Sequence, residues 1–115
     1  MKTTPQDRLR HMLDAIDAID DLSGLNRTLT RVERAAFERF FEIVSEASRH
    51  IPNDLLAAHP HIPWRGIADL GNALRHGYES IDLERLVKIA RQDMTELRMA
   101  VEAMLASLDS PERHR

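Results

Sequence analysis

The sequence predicts an all-α protein, a mainly antiparallel bundle of four to five helices. Three observations carry that expectation. Apolar residues recur at steps of three and four along four stretches, the repeat of a single helix face. Only 4 Gly and 5 Pro interrupt 115 residues, and 43% of the residues are hydrophobic. The connectors are short, which favours antiparallel neighbours. One domain is expected over 1–115, with its core from about 7 to 108 and a polar tail, "DSPERHR", over 109–115.

The first stretch is "PQDRLRHMLDAIDAIDDL". Leu9, Met12, Leu13, Ile16, Ile19 and Leu22 share its inner face. Asp14, Asp17, Asp20 and Asp21 fall mostly on the other side and read as a solvated face. "SGLNRTLT" breaks the pattern with turn-forming residues. Thr30 and Glu33 then stand three apart, as a capping box requires. They open "RVERAAFERFFEIVSEASRH", whose stripe is Val32, Ala36, Phe37, Phe40, Phe41, Val44 and Ala47. Glu46 lies in the core-facing half of this helix, beside Ala47, although a surface carboxylate is the commoner reading of such a residue.

"IPNDLLAAHPHIP" is a connector in which Asn53 is placed to cap one short turn. Pro60 ends that turn, and Pro63 suits the first position of the next helix. That helix reads "PWRGIADLGNALRH", with Trp64, Ile67, Ala68, Leu70 and Leu74 as packing residues. Gly77 is placed as its stop. Asp82 caps the last and longest helix, whose stripe runs Leu86, Val87, Ala90, Met94, Leu97, Val101, Met104 and Leu108.

Composition narrows the function classes. A net charge of -3 argues against a protein that coats DNA. It is compatible with an enzyme that gathers positive charge in one cleft. Cysteine is absent from the sequence, which excludes disulfides and thiolate chemistry. No basic start is followed by an apolar run, and no stretch approaches the length of a membrane span. A cytoplasmic protein without membrane contact is therefore expected.

Chemistry concentrates in "GNALRHGYESID". Asn72 and His76 are four apart and share a helix face, and Arg75 lies beside it. Beyond Gly77 the chain leaves the helix, so Tyr78 can swing back toward the imidazole. These groups suit phosphodiester chemistry. A histidine titrates near ~6.5 and moves protons at neutral pH. An arginine holds phosphate with a bidentate fork. A ribose 2'-hydroxyl can be the internal nucleophile, so no metal is needed. The competing account is plain helix-end chemistry, because the helix dipole favours His and Arg at a C-terminus. His50, His59 and His61 match no helical ligand pair, and no metal or other cofactor is expected. Neither a glycine-rich phosphate loop nor a serine-nucleophile motif occurs.

Four blocks, "RLRHMLDAIDAID", "FEIVSEASRHIP", "HPHIPWRGIADLGNALRHGYESIDLERL" and the last long helix, resemble in that order the HepT-like (DUF86) family of the HEPN superfamily. The resemblance runs from about Asp7 to Leu105. Its most specific parts are "IPWR", Asn72, His76 and Tyr78 in N-x-x-x-H-x-Y, and Ile81–Asp82. It implies a HEPN bundle that forms a homodimer, with two copies of the motif facing each other across one positively charged cleft. It also implies a metal-independent RNase acting on RNA as the toxin of a toxin–antitoxin pair. The implied partner is a nucleotidyltransferase antitoxin of the MNT type. In some pairs that partner adds AMP to the motif tyrosine, here Tyr78.

Carried over residue by residue, His76 is the general acid/base, Asn72 its polar companion and Tyr78 a cleft residue and AMPylation candidate. Glu46 matches the family's "GEA"-type segment, with Ser45 in place of its glycine. The family motif reads R-N-x-x-x-H-x-Y, and Gly71 stands where its arginine falls. Arg75 is the expected replacement as phosphate holder. Arg65 is a further cleft candidate, reaching only across a dimer interface. The alternative is a weak or inactive HEPN module that docks a nucleotidyltransferase or binds nucleotide.

Overall fold

The computed structural model describes residues 3–76 and 82–109. Five helices occur among them: α1 (Pro5–Ser23), α2 (Arg31–Ser48), α3 (Asn53–Ala57), α4 (Trp64–Arg75) and α5 (Leu83–Asp109). The described residues contain no strand, so the chain is all-α. None of these helices is long and apolar enough to cross a membrane. The Gly77 stop and the polar tail beyond Asp109 lie outside the described residues.

Local chemistry starts each long helix. The Thr4 hydroxyl accepts the Asp7 N–H at 3.1 Å, and the Asp7 carboxylate accepts the Thr4 N–H at 3.1 Å. Thr30 and Glu33 repeat the box at α2, at 3.1 and 2.9 Å. Arg27 adds a fork onto both Glu33 oxygens at 2.7 Å. That fork, with the Thr30 N–H behind it, holds the Glu33 carboxyl down from 4.5 to about 2. At α5 the Asp82 carboxylate accepts the Arg85 N–H at 2.8 Å, as the sequence predicts.

Two caps differ from expectation. Pro52 occupies the cap position of α3, and Asn53 is its first helical residue with no side-chain cap bond. Pro63 likewise caps α4, which begins at Trp64. The Trp64 indole ties this junction together, donating to the carbonyls of Leu56 at 3.0 Å and His59 at 3.1 Å.

The core follows the apolar stripes. Leu9, Met12, Ile16 and Ile19 of α1 are fully buried between Phe37, Phe41 and Val44 of α2 and Leu86, Leu97, Val101 and Met104 of α5. Phe37 and Phe41 meet edge to face, with ring centroids 5.2 Å apart. Val32 does not join the stripe. It lies in the first turn of α2, ahead of the buried run, and is 79% exposed. The acidic face of α1 is also not wholly solvated. Arg98 of α5 forks onto Asp17 and Asp20, and Arg91 donates to the Ser23 carbonyl at 3.1 Å. These contacts latch α1 to α5 across the surface, where such pairs contribute little.

α4 packs on α2, while α1 packs on both α2 and α5. One pair in the α2–α4 contact is exceptionally tight. Gly71 is the buried residue of α4, and a Cβ there would stand 2.0 Å from the Ser45 hydroxyl and 2.3 Å from the Ser45 Cβ. The Ser45 hydroxyl donates to the Ala68 carbonyl at 3.0 Å, and Arg49 donates to the same carbonyl at 3.2 Å. Glycine at 71 is therefore a packing requirement. The backbone of α4 lies where any side chain would collide.

Gly71→Ala should lower stability by about 1–3 kcal/mol, the usual cost of overpacking. Adding Ser45→Gly should recover part of that loss, and urea melts of both single variants and the double variant give the coupling. A Gly71→Ala protein as stable as wild type would contradict the close approach.

Candidate functional site

The site sits on the last turn of α4. Asn72, half-buried, does two jobs there. Its side-chain oxygen accepts from the Arg75 guanidinium at 3.0 Å. Its backbone carbonyl accepts the His76 N–H at 3.1 Å, which ends the helix. His76 is thus the capping residue and lies at the exposed end of α4. One residue fixes both neighbours that the sequence singles out.

Positions 71 and 75 are four apart, so they share the face of α4 that meets α2. Position 71 is sealed against Ser45. Position 75 is the next on that face, at the open end of the seam. Its guanidinium lines a pocket of about 300 Å³ with Arg8 and His11 of α1 and Arg39, Glu42 and Glu46 of α2. An arginine at 71 would have to displace Ser45, whereas an arginine at 75 reaches solvent freely.

Glu46 is at the rim of this pocket. It is the surface carboxylate that is the commoner reading of its position, exposed because the buried stripe turns through Ser45, Ala47 and Ser48 beside it. His50 sits one turn on, with Nε2 3.2 Å from the carboxylate. That hydrogen bond is the main reason the Glu46 carboxyl lies below its ordinary range. Burial opposes it as the next largest effect, and the charges of His50, Arg75 and Arg49 each add a smaller pull downward.

Asn72, Arg75 and Glu46 are therefore gathered, with His76 adjoining. Arg65 is not. It lies in the first turn of α4, ten residues before Arg75, which is about 15 Å along the axis. Tyr78 lies outside the described residues. Arg8, His11, Arg39 and Glu42 were not legible as site residues. Arg8, His11 and Glu42 adjoin buried positions and Arg39 the half-buried Phe40, and only the packing of α1 on α2 unites them. Away from this site, the His59 and His61 rings meet edge to face, with centroids 6.0 Å apart. Among the described residues no third metal-ligating side chain joins them.

A second cleft, of about 390 Å³, lies on the other side of α4. It runs between Ile67 and Leu70 of α4, Phe41 and Val44 of α2, and Ile89 and Leu97 of α5. It is mainly apolar, with charged groups at its edges.

The fold and the site define an all-α bundle that presents arginine, asparagine and histidine together at one helix end, beside an ionic pocket. A family model described as Ribonuclease HepT-like matches residues 12–104, and the chain belongs to that family. It is 32% identical over 102 residues to the Probable ribonuclease HepT of Thermococcus cleftensis, covering 85% of this chain and 93% of that protein. It is 34% identical over 96 residues to a provisionally named RNase of Methanocaldococcus jannaschii, covering 84% of this chain and 88% of that one. No solved structure matches the chain at a comparable level.

The Glu46 shift has a direction that can be checked. A depressed carboxylate stays ionised to lower pH, and any stabilisation it gives persists above its ordinary range and fades as pH falls through the lowered midpoint. His50→Ala should move that midpoint up toward the ordinary value, and Arg75→Ala should move it up by less. Side-chain NMR titration reads both. A larger effect from Arg75→Ala would place the dominant contact on the wrong partner.

Proposed function

We propose that this chain is a metal-independent endoribonuclease, the toxin of a cytoplasmic toxin–antitoxin pair. The observation that carries the reading is the Asn72–Arg75 hydrogen bond, which holds a guanidinium on the turn that ends in His76. Family membership and the names of its relatives support RNA as the substrate class.

In this mechanism His76 removes the proton of a ribose 2'-hydroxyl. The oxygen attacks the adjacent phosphorus, and the bond to the 5'-oxygen breaks. A protonated imidazole then supplies the leaving oxygen with its proton, so a 2',3'-cyclic phosphate and a 5'-hydroxyl result. Two such imidazoles, one from each copy of a homodimer, would serve as base and acid. Arg75 compensates the charge on the non-bridging oxygens. Asn72 aligns Arg75. The half-buried apolar side of α4, with Ile67, Leu70 and Leu74, supports a second copy as its cover. A nucleotidyltransferase of the MNT type is the proposed antitoxin, and Tyr78 its acceptor.

One observation favours a second reading. Position 71 is sealed against Ser45, so the family's motif arginine has no room at its usual place. If Arg75 does not serve instead, the chain is an inactive module that docks a nucleotidyltransferase or binds nucleotide.

Purified protein in EDTA should cut single-stranded RNA to leave 2',3'-cyclic ends. His76→Ala should slow cleavage by roughly 10²–10⁴-fold, and Arg75→Ala by roughly 10²–10³-fold. Absence of cleavage by wild type, with Tyr78 shown unmodified by intact mass, would overturn the nuclease reading in favour of the binding module.

A further inference from the structure

The pocket beside Arg75 contains more than the site above requires. Three guanidinium groups, Arg8, Arg39 and Arg75, and the His11 imidazole share it with the carboxylates of Glu42 and Glu46. Arg39 lies 3.5 Å from Glu42, and His50 lies 3.2 Å from Glu46. Among the described residues, Arg8 and His11 have no side-chain hydrogen bond or ion pair. They stand three apart on α1, so both face the same hollow. The rest of the chain is net acidic, and the hollow concentrates the opposite sign where Arg75 also points.

The mixture of signs specifies the ligand. A bare polyanion gains nothing from two carboxylates. A nucleotide unit brings an anion and hydroxyl donors together. The volume of about 300 Å³ is at the small end for a ligand pocket and suits one unpaired nucleotide.

We infer that this pocket is an RNA subsite that binds the nucleotide neighbouring the scissile phosphate. Arg8, His11 and Arg39 take its phosphate, and Glu42 and Glu46 accept from its ribose hydroxyls. The inference rests on the ribonuclease reading, and it deepens that reading by making α1 and α2 part of substrate recognition. It gives the pocket a preference for RNA over DNA, because only RNA presents the 2'-hydroxyl.

The test is fluorescence anisotropy with a labelled single-stranded RNA and the DNA of the same sequence. His76→Ala serves as the parent protein, so the RNA stays intact. Arg8→Ala should weaken RNA binding about tenfold and reduce the salt slope by about 0.7. Arg8→Lys should keep the salt slope while restoring only part of the affinity. Glu42→Gln should narrow the preference for RNA over DNA. Arg34→Ala, on a surface pair with Glu38, is the control and should bind as the parent does. Loss of binding in Arg75→Ala with parental binding in both Arg8→Ala and Arg39→Ala would overturn the subsite and leave the nuclease reading standing. Equal affinity for RNA and DNA, unchanged by Glu42→Gln, would overturn the ribose assignment. A parent that binds neither strand at low salt would remove the RNA reading itself, and the subsite with it.

Discussion

The seam between α2 and α4 determines what the rest of the molecule can do. Ser45 and Gly71 meet there with no room for a further atom, and the Ser45 hydroxyl fastens onto the α4 backbone at Ala68. This contact sets how near the two helices lie and how α4 is rotated about its axis. Rotation decides which of its polar residues face the ionic pocket. Arg75 faces it because it follows Gly71 by one turn on the same side. A bulkier residue at either position would push the helices apart and carry Asn72, Arg75 and His76 away from α1. Well-packed interiors respond to such changes by shifting whole elements, because they have little spare volume to absorb them.

Much of the fold was legible in the sequence, and the reasons are local. Helical periodicity marks a face wherever a helix is buried on one side, which describes α1, α2 and α5 well. The Thr4, Thr30 and Asp82 caps are formed by residues within three positions of each other, and two of them were readable as such. What stayed hidden is what depends on a second element. Val32 fits the apolar repeat but lies before the turn at which α2 reaches the core. Asp17 and Asp20 look solvated until Arg98 arrives from nearly eighty residues away. Gly71 looks like a missing arginine until Ser45 is placed against it.

The site divides along the same line. Asn72 and Arg75 could be paired from spacing alone, and they are hydrogen-bonded. Arg65 could be discounted within one chain from helix rise, and it is remote. Glu46 was noted for its place beside Ala47 and for the family's segment, and what the sequence did not show is its His50 partner and its place at the pocket. The cations of α1 and α2 carry no motif. Their grouping depends on two helices packed side by side, and a linear reading has no access to it.

The two hollows flanking α4 are of opposite character. One is ionic and receives Arg75. The other is mainly apolar, bounded by Ile67 and Leu70 on the reverse side of the helix. For the ribonuclease proposed above, a competitive inhibitor would ordinarily have to mimic a polyanion, which makes a poor drug-like compound. Here a small uncharged molecule has somewhere else to go. In the proposed homodimer a second copy covers the Ile67–Leu70 face, so a molecule seated in the apolar cleft would compete with that copy. Such a compound would oppose assembly of the proposed ribonuclease and would not need to resemble nucleic acid.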